Sequence, residues 1–126
     1  MKARWAENET TIGSLEELRS VIETVRRSGE PTIMFLDADN ETILWFGVGR
    51  DESVLGFFDA DGSSWHSLGT PYRRGTLTFH NASQVDDFDA ELAVPYAHAV
   101  EAAERFLATA ERPTNIIWEA DWDEGS

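Results

Sequence analysis

At 126 residues the chain has the length of one domain, enough to bury a core and too little for two. Its 41% hydrophobic and 11% aromatic content excludes a disordered acidic linker, and the absence of cysteine removes disulfides, thiolate metal ligands and a cysteine nucleophile together. Twenty-four acids against ten bases, nine of them Arg, give a net charge of -14, a field that repels phosphate backbones and anionic lipid and so disfavours nucleic-acid or membrane-surface binding. No apolar run reaches the roughly 20 residues of a membrane span. The start MKARWAENE has no apolar stretch behind its basic residues, so no secretory signal is read and a cytoplasmic address is expected.

In chain order, Ser14 is a helix N-cap with Glu17 three residues on to complete a capping box. Leu15, Leu18, Val21, Ile22 and Val25 follow at helical spacing, and Gly29 before Glu30-Pro31 stops the helix, which spans residues 15 to 28. The period then changes to that of strands: 32 to 38, a turn at Asp39-Asn40, 41 to 49, and 53 to 60. Asp61-Gly62 is the signal of a type I′ hairpin turn, with 63 to 69 returning and a fifth strand at 75 to 80. Residues 81 to 93, rich in turn formers and acids, read as a surface loop. Val94-Pro95 opens a second helix, with Pro95 at its first position and Tyr96, Ala99, Val100, Ala103, Phe106 and Leu107 on one face. TNIIWEA (114 to 120) is a last strand, and residues from about 120 to 126 form a frayed tail. A strand around 3 to 12 is weakly signalled. This order implies a single domain over residues 1 to 126 with an α+β fold, an antiparallel β-meander of about five to six strands with two helices packed on one face.

The chemistry-bearing constellations fail one by one. His66, His80 and His98 have no helical i, i+4 pairing, so no metal site is expected. Asp59-Ala-Asp61-Gly62 resembles part of a calcium loop, but alignment on that glycine puts Phe57 and Leu68 at ligand positions. Gly47-Val-Gly49-Arg-Asp-Glu52 has Glu where a dinucleotide loop needs its third glycine, and a strand follows, so no cofactor is expected. Ser63, Ser64, His66 and Ser67 lie in one strand, where alternation sends His66 to the face opposite Trp65 and Ser67, and no nucleophile elbow exists. Carboxylates are so numerous that a glycosidase-like pair carries no weight. The chain reads as a binding protein, not an enzyme.

Two regions favour recognition. Trp65 and Tyr72 lie on a polar hairpin and the loop beside it, next to Arg73 and Arg74; their alternative is ordinary packing under that loop. Asp86, Asp87, Asp89 and Glu91 surround Phe88, either as a solvated loop or as an edge facing a basic groove with Phe88 as its apolar anchor.

Residues 49 to 55 (GRDESVL), Asp59-Ala-Asp61-Gly62 before Trp65 and Ser67-Leu68-Gly69 resemble the Imm1 family of immunity proteins from bacterial polymorphic toxin systems. Val94-Pro95 with Ala99 and Ala102, Phe106-Leu107, Arg112-Pro113 and Ile117-Trp118 continue the resemblance, which covers residues 30 to 119. It implies a small cytoplasmic α+β protein without enzyme activity that neutralises a cognate toxin, often a nucleic-acid deaminase. Gly49, Arg50, Leu68, Gly69, Pro113 and Trp118 carry the resemblance and have the character of turn, cap and core positions. A monomer binding one-to-one through Trp65, Tyr72 and the 86 to 91 segment is expected. The alternatives are an acidic interaction domain with no toxin partner and a small hydrolase using a carboxylate pair.

Overall fold

The computed structural model describes residues 1–121. A hairpin of β1 (Lys2–Trp5) and β2 (Asn8–Thr11) precedes α1 (Leu15–Arg27). The N-cap half of the capping box forms, with Ser14 Oγ accepting the Glu17 N–H at 3.1 Å, while Glu17 Oε1 accepts the N–H of Gly13, one residue before the cap, at 3.1 Å. Then come β3 (Thr32–Asp37), β4 (Ile43–Val48), β5 (Glu52–Ser53), β6 (Leu55–Phe58), β7 (Ser64–Ser67), β8 (Thr76–Asn81) and β9 (Gln84–Asp89). A short 3-10 turn (Ala90–Leu92), β10 (Val94–Pro95), α2 (Tyr96–Thr109) and β11 (Trp118–Ala120) complete the described chain. The main sheet runs β11-β7-β6-β4-β3-β1-β2 with antiparallel neighbours, and β8 joins β3 in parallel while carrying β9. β5 and β10 form a separate small pair. Among the described residues no helix is long and apolar enough to cross a membrane.

Strand alternation gives the sheet two apolar faces. On one, Met34, Leu36, Leu44, Phe46, Leu55 and Phe57 pack against Leu18, Ile22 and Val25 of α1 and Ala99, Ala102, Ala103 and Phe106 of α2. Both helices therefore cover one face. The alanines bring α2 close, and Phe106 meets Phe57 edge-on with ring centroids 5.9 Å apart. On the second face Ile33, Val54 and Phe79 are buried beneath Phe35, Trp45, Leu77 and Phe88. Two glycines make room there: the Phe79 ring occupies the space of a Cβ on Gly47, and the Trp45 indole that of one on Gly56.

The sheet has more strands than the sequence reading counted, and the 81 to 93 loop is the main correction. Residues 84 to 89 are a strand in register with β8, pairing Leu77 with Phe88 and Phe79 with Asp86. Asp87 and Asp89 point outward with the exposed Val85, and Asp86 shares the face of Phe88, so the strand has the acid-rich composition of a loop; the tight turn before it uses Ala82 at φ 54°. The weakly signalled N-terminal strand is a two-stranded hairpin. Only Gly62 of the Asp61-Gly62 turn has positive φ, at 91°, so that hairpin is not type I′, whose two central residues both need it. Pro95 ends β10 and precedes α2 instead of opening it. The last strand is confined to 118–120, and Ala120 pairs with Trp65 while the Asp121 N–H donates to Ser64 O at 2.9 Å, so this part of the expected tail is held. The rest of that tail, 122 to 126, lies outside the described residues.

Phe79 fastens the β8–β9 hairpin to the second face. Phe79→Ala is expected to cost about 3–5 kcal/mol in denaturant unfolding, the usual range for a buried phenylalanine. In amide exchange, β8 and β9 should then lose protection before β3 and β4.

Candidate partner-binding surface

The segment from Leu68 to Gly75 crosses from β7 to β8 and is clamped along its length. The Gly69 N–H donates to Glu91 O at 2.7 Å, and the backbone approaches the Ala93 carbonyl so closely that a Cβ on Gly69 would collide with it. The Tyr72 N–H donates to Glu91 Oε2 at 3.2 Å. Arg73 forks onto both carboxylate oxygens of Glu52, at 2.5 and 2.7 Å. At the far end the Ala90 N–H reaches Gly75 O at 2.9 Å. Held between these points, Tyr72 sits at φ 61° with 92% of its surface exposed. A bulky residue in the left-handed region costs about 1–3 kcal/mol, and burial of this ring returns none of it.

The two recognition regions named from sequence converge only in part. Tyr72, Asp89 and Glu91 line one concavity of about 520 Å³ together with Arg73 and Arg74. Asp86 and Asp87 lie further along β9: Asp86 accepts from Asn81 and Gln84, each at 3.1 Å, and Asp87 accepts the Thr78 hydroxyl at 2.5 Å. Phe88 points inward, its ring 5.4 Å from Trp45 and 6.2 Å from Phe79. Trp65 belongs to the helix-covered face, where its indole N–H donates to Asp59 at 2.9 Å and Arg112 stacks 3.7 Å from the ring centroid. Both aromatics are thus packed within the fold, and Tyr72 projects.

A second concavity, of about 370 Å³, opens on the other side of Tyr72. One wall is Leu68, Pro71, Tyr72, Glu91 and Leu92, and the other is His66, Ile117 and Glu119 at the β7–β11 end of the sheet. Gly56, His66 and Glu119 are register partners, so this wall continues the Trp45 row of the second face past the point where β8–β9 covers it. Ile117, 71% exposed, carries the family resemblance in the sequence but is not among the binding residues named there. Of the Ile116-Ile117 pair just before β11, Ile116 is the one buried. The nearby Ser64 donates to Asp121 Oδ2 at 2.7 Å, and His66 contacts the same carboxylate. Among the described residues no three His, Asp or Glu side chains are grouped to hold a metal ion.

With this surface in view, the comparison with protein families is decisive: the family described as Immunity protein Imm1 matches residues 6–120. The chain belongs to the Imm1 family. No curated protein matches it. The match extends the sequence resemblance backward through β2 and α1. Several residues that carried the resemblance do structural work in this Imm1 chain. Gly49 turns at φ 114°, Arg50 donates to Thr78 O at 2.8 Å, and the Trp118 indole N–H donates to Pro113 O at 2.7 Å. Leu68, in contrast, lines the groove beside Tyr72.

The Arg73 guanidinium holds the Glu52 carboxyl below the usual glutamate range, chiefly through the side-chain hydrogen bonds, and Glu52 holds Arg73 upward in turn. A depressed carboxylate contributes stability that is complete above its unfolded pKa and is lost as pH falls through its folded pKa. Carboxyl-carbon NMR should therefore find Glu52 titrating below the protein's unpaired glutamates, and Arg73→Gln should return it upward. Local amide exchange around Tyr72 should accelerate in that variant at neutral pH.

Proposed function

We propose that this chain binds a toxin domain one-to-one in the cytoplasm and neutralises it by occlusion, without catalysis of its own. The toxin is a basic nucleic-acid-processing domain, in our reading a deaminase. The single observation that carries the choice of surface is Tyr72, an aromatic ring held out into solvent in a strained backbone conformation that the fold does not use. An ordered, exposed tyrosine presents a large contact area at little entropy cost on binding, the character of an interface anchor. Outward-facing Asp87 and Asp89 of β9, with Glu91 nearby, set carboxylates beside Arg73 and Arg74 on a chain of net charge -14. Such a field steers a basic partner into encounter and sets its orientation. Enzymes that act on nucleic acid hold a polyanion against Lys and Arg, so the same surface suits this chain. In this reading Trp65, Phe88 and Asp86 act from behind, holding β7 and β9 in place, while Tyr72, Asp87, Asp89 and Glu91 meet the toxin.

Tyr72→Gly separates this role from a structural one, because glycine relieves the left-handed strain. Titration calorimetry against the toxin domain encoded beside this chain should show affinity reduced about 30-fold or more, the effect of losing a hot spot of at least about 2 kcal/mol. The melting temperature should stay the same or rise. Unchanged affinity would remove Tyr72 from the interface.

A further inference from the structure

We infer that the groove between Tyr72 and Ile117 receives a long basic side chain of the toxin, an inference that rests on the proposed immunity role and assigns the chemistry of its central contact. The groove has an apolar lining on both walls, Leu68 and Leu92 on one and the exposed Ile117 on the other, with Glu91 from the 3-10 turn and Glu119 from β11 beside them. A carboxylate on each wall and hydrocarbon between them match the two parts of a lysine or arginine, whose methylene stem packs on apolar surface while its charged head seeks an acid. The exposed Tyr72 ring on the rim adds a face for the cation.

The acids are free to accept it. Among the described residues no Arg or Lys forms an ion pair with Glu91 or Glu119. Glu91 takes the Tyr72 N–H on one oxygen, and Glu119 faces the His66 ring at 3.7 Å. The nearest arginines do not fill the groove: Arg73 is bound to Glu52, and Arg74 lines the concavity on the opposite side of Tyr72. Ile117, large and apolar at an open sheet edge, is the kind of surface that a partner covers. The site thus combines an unfilled apolar lining, two carboxylates without a lysine or arginine, and an exposed aromatic rim on a clamped backbone.

The test is a double-mutant cycle. Glu91→Gln with Glu119→Gln keeps size and the acceptor for the Tyr72 N–H while removing both charges. Against the toxin domain encoded beside this chain, the double variant should bind at least tenfold more weakly and show a shallower salt dependence, with its melting temperature unchanged. Ile117→Ser should weaken binding while keeping the wild-type salt dependence. Alanine replacement of each surface Lys and Arg of the toxin should find one residue whose loss costs little further affinity in the Glu91→Gln, Glu119→Gln background. Wild-type affinity and salt slope in the double variant, or the absence of any coupled basic residue, would overturn this inference and leave the immunity role standing. Failure of the wild-type chain to bind that toxin at all would overturn both.

Discussion

Every extended sheet has two faces to cover, and this chain has helix for one. α1 and α2 lie side by side over β3, β4 and β6, so the apolar side chains on the reverse of those strands must find another roof. The β8–β9 hairpin supplies it by folding back over the sheet, with Phe79 seated on Gly47 and Phe88 stacked on Trp45. A six-residue hairpin arm is shorter than the sheet is wide. It covers the middle of the second face and leaves the β7–β11 end open, with His66, Ile117 and Glu119 at its margin. The candidate surface is a consequence of that shortfall.

The connection between β7 and β8 has to cross this open end, and its clamps make it a rigid border. The Arg73–Glu52 fork and the backbone bonds to Glu91 and Gly75 fix a short segment at several points, and the geometry that satisfies them places Tyr72 in the left-handed region. Buried contacts elsewhere in the fold bear that strain. The same clamps fix the Tyr72 backbone before any partner arrives, so less entropy is lost when one does. Membership of the Imm1 family makes this an immunity protein, and the surface carries a share of its strong negative charge in Glu91 and Glu119.

Much of the fold was legible in the residues. The capping box at Ser14 and Glu17, the buried stripe of α1 and the alternation of β3 through β7 carry local signals that tertiary packing then reinforces. β9 was illegible because half of its alternation is Asp, and only its pairing with β8 distinguishes it from a polar loop. The site was legible in part. Tyr72 and Glu91 were named from their setting, and they meet through a hydrogen bond. Ile117 and Glu119 join them by tertiary folding from in and just before β11, some 45 residues beyond Tyr72, a proximity with no local signature. Trp65 and Phe88 show the converse, since composition cannot tell an aromatic that packs beneath a polar strand from one that projects above it.

The claim on which the account rests is that the open end of the second face is the toxin-binding surface. Hydrogen–deuterium exchange of the chain, free and bound to the toxin domain it is proposed to neutralise, tests this most directly. The account predicts new protection concentrated in residues 66 to 75, 89 to 92 and 117 to 119, with the solvent face of α1 and the β1–β2 edge unchanged. Protection confined to α1, α2 or the β1–β2 edge, with the Tyr72 segment exchanging as in the free chain, would contradict it.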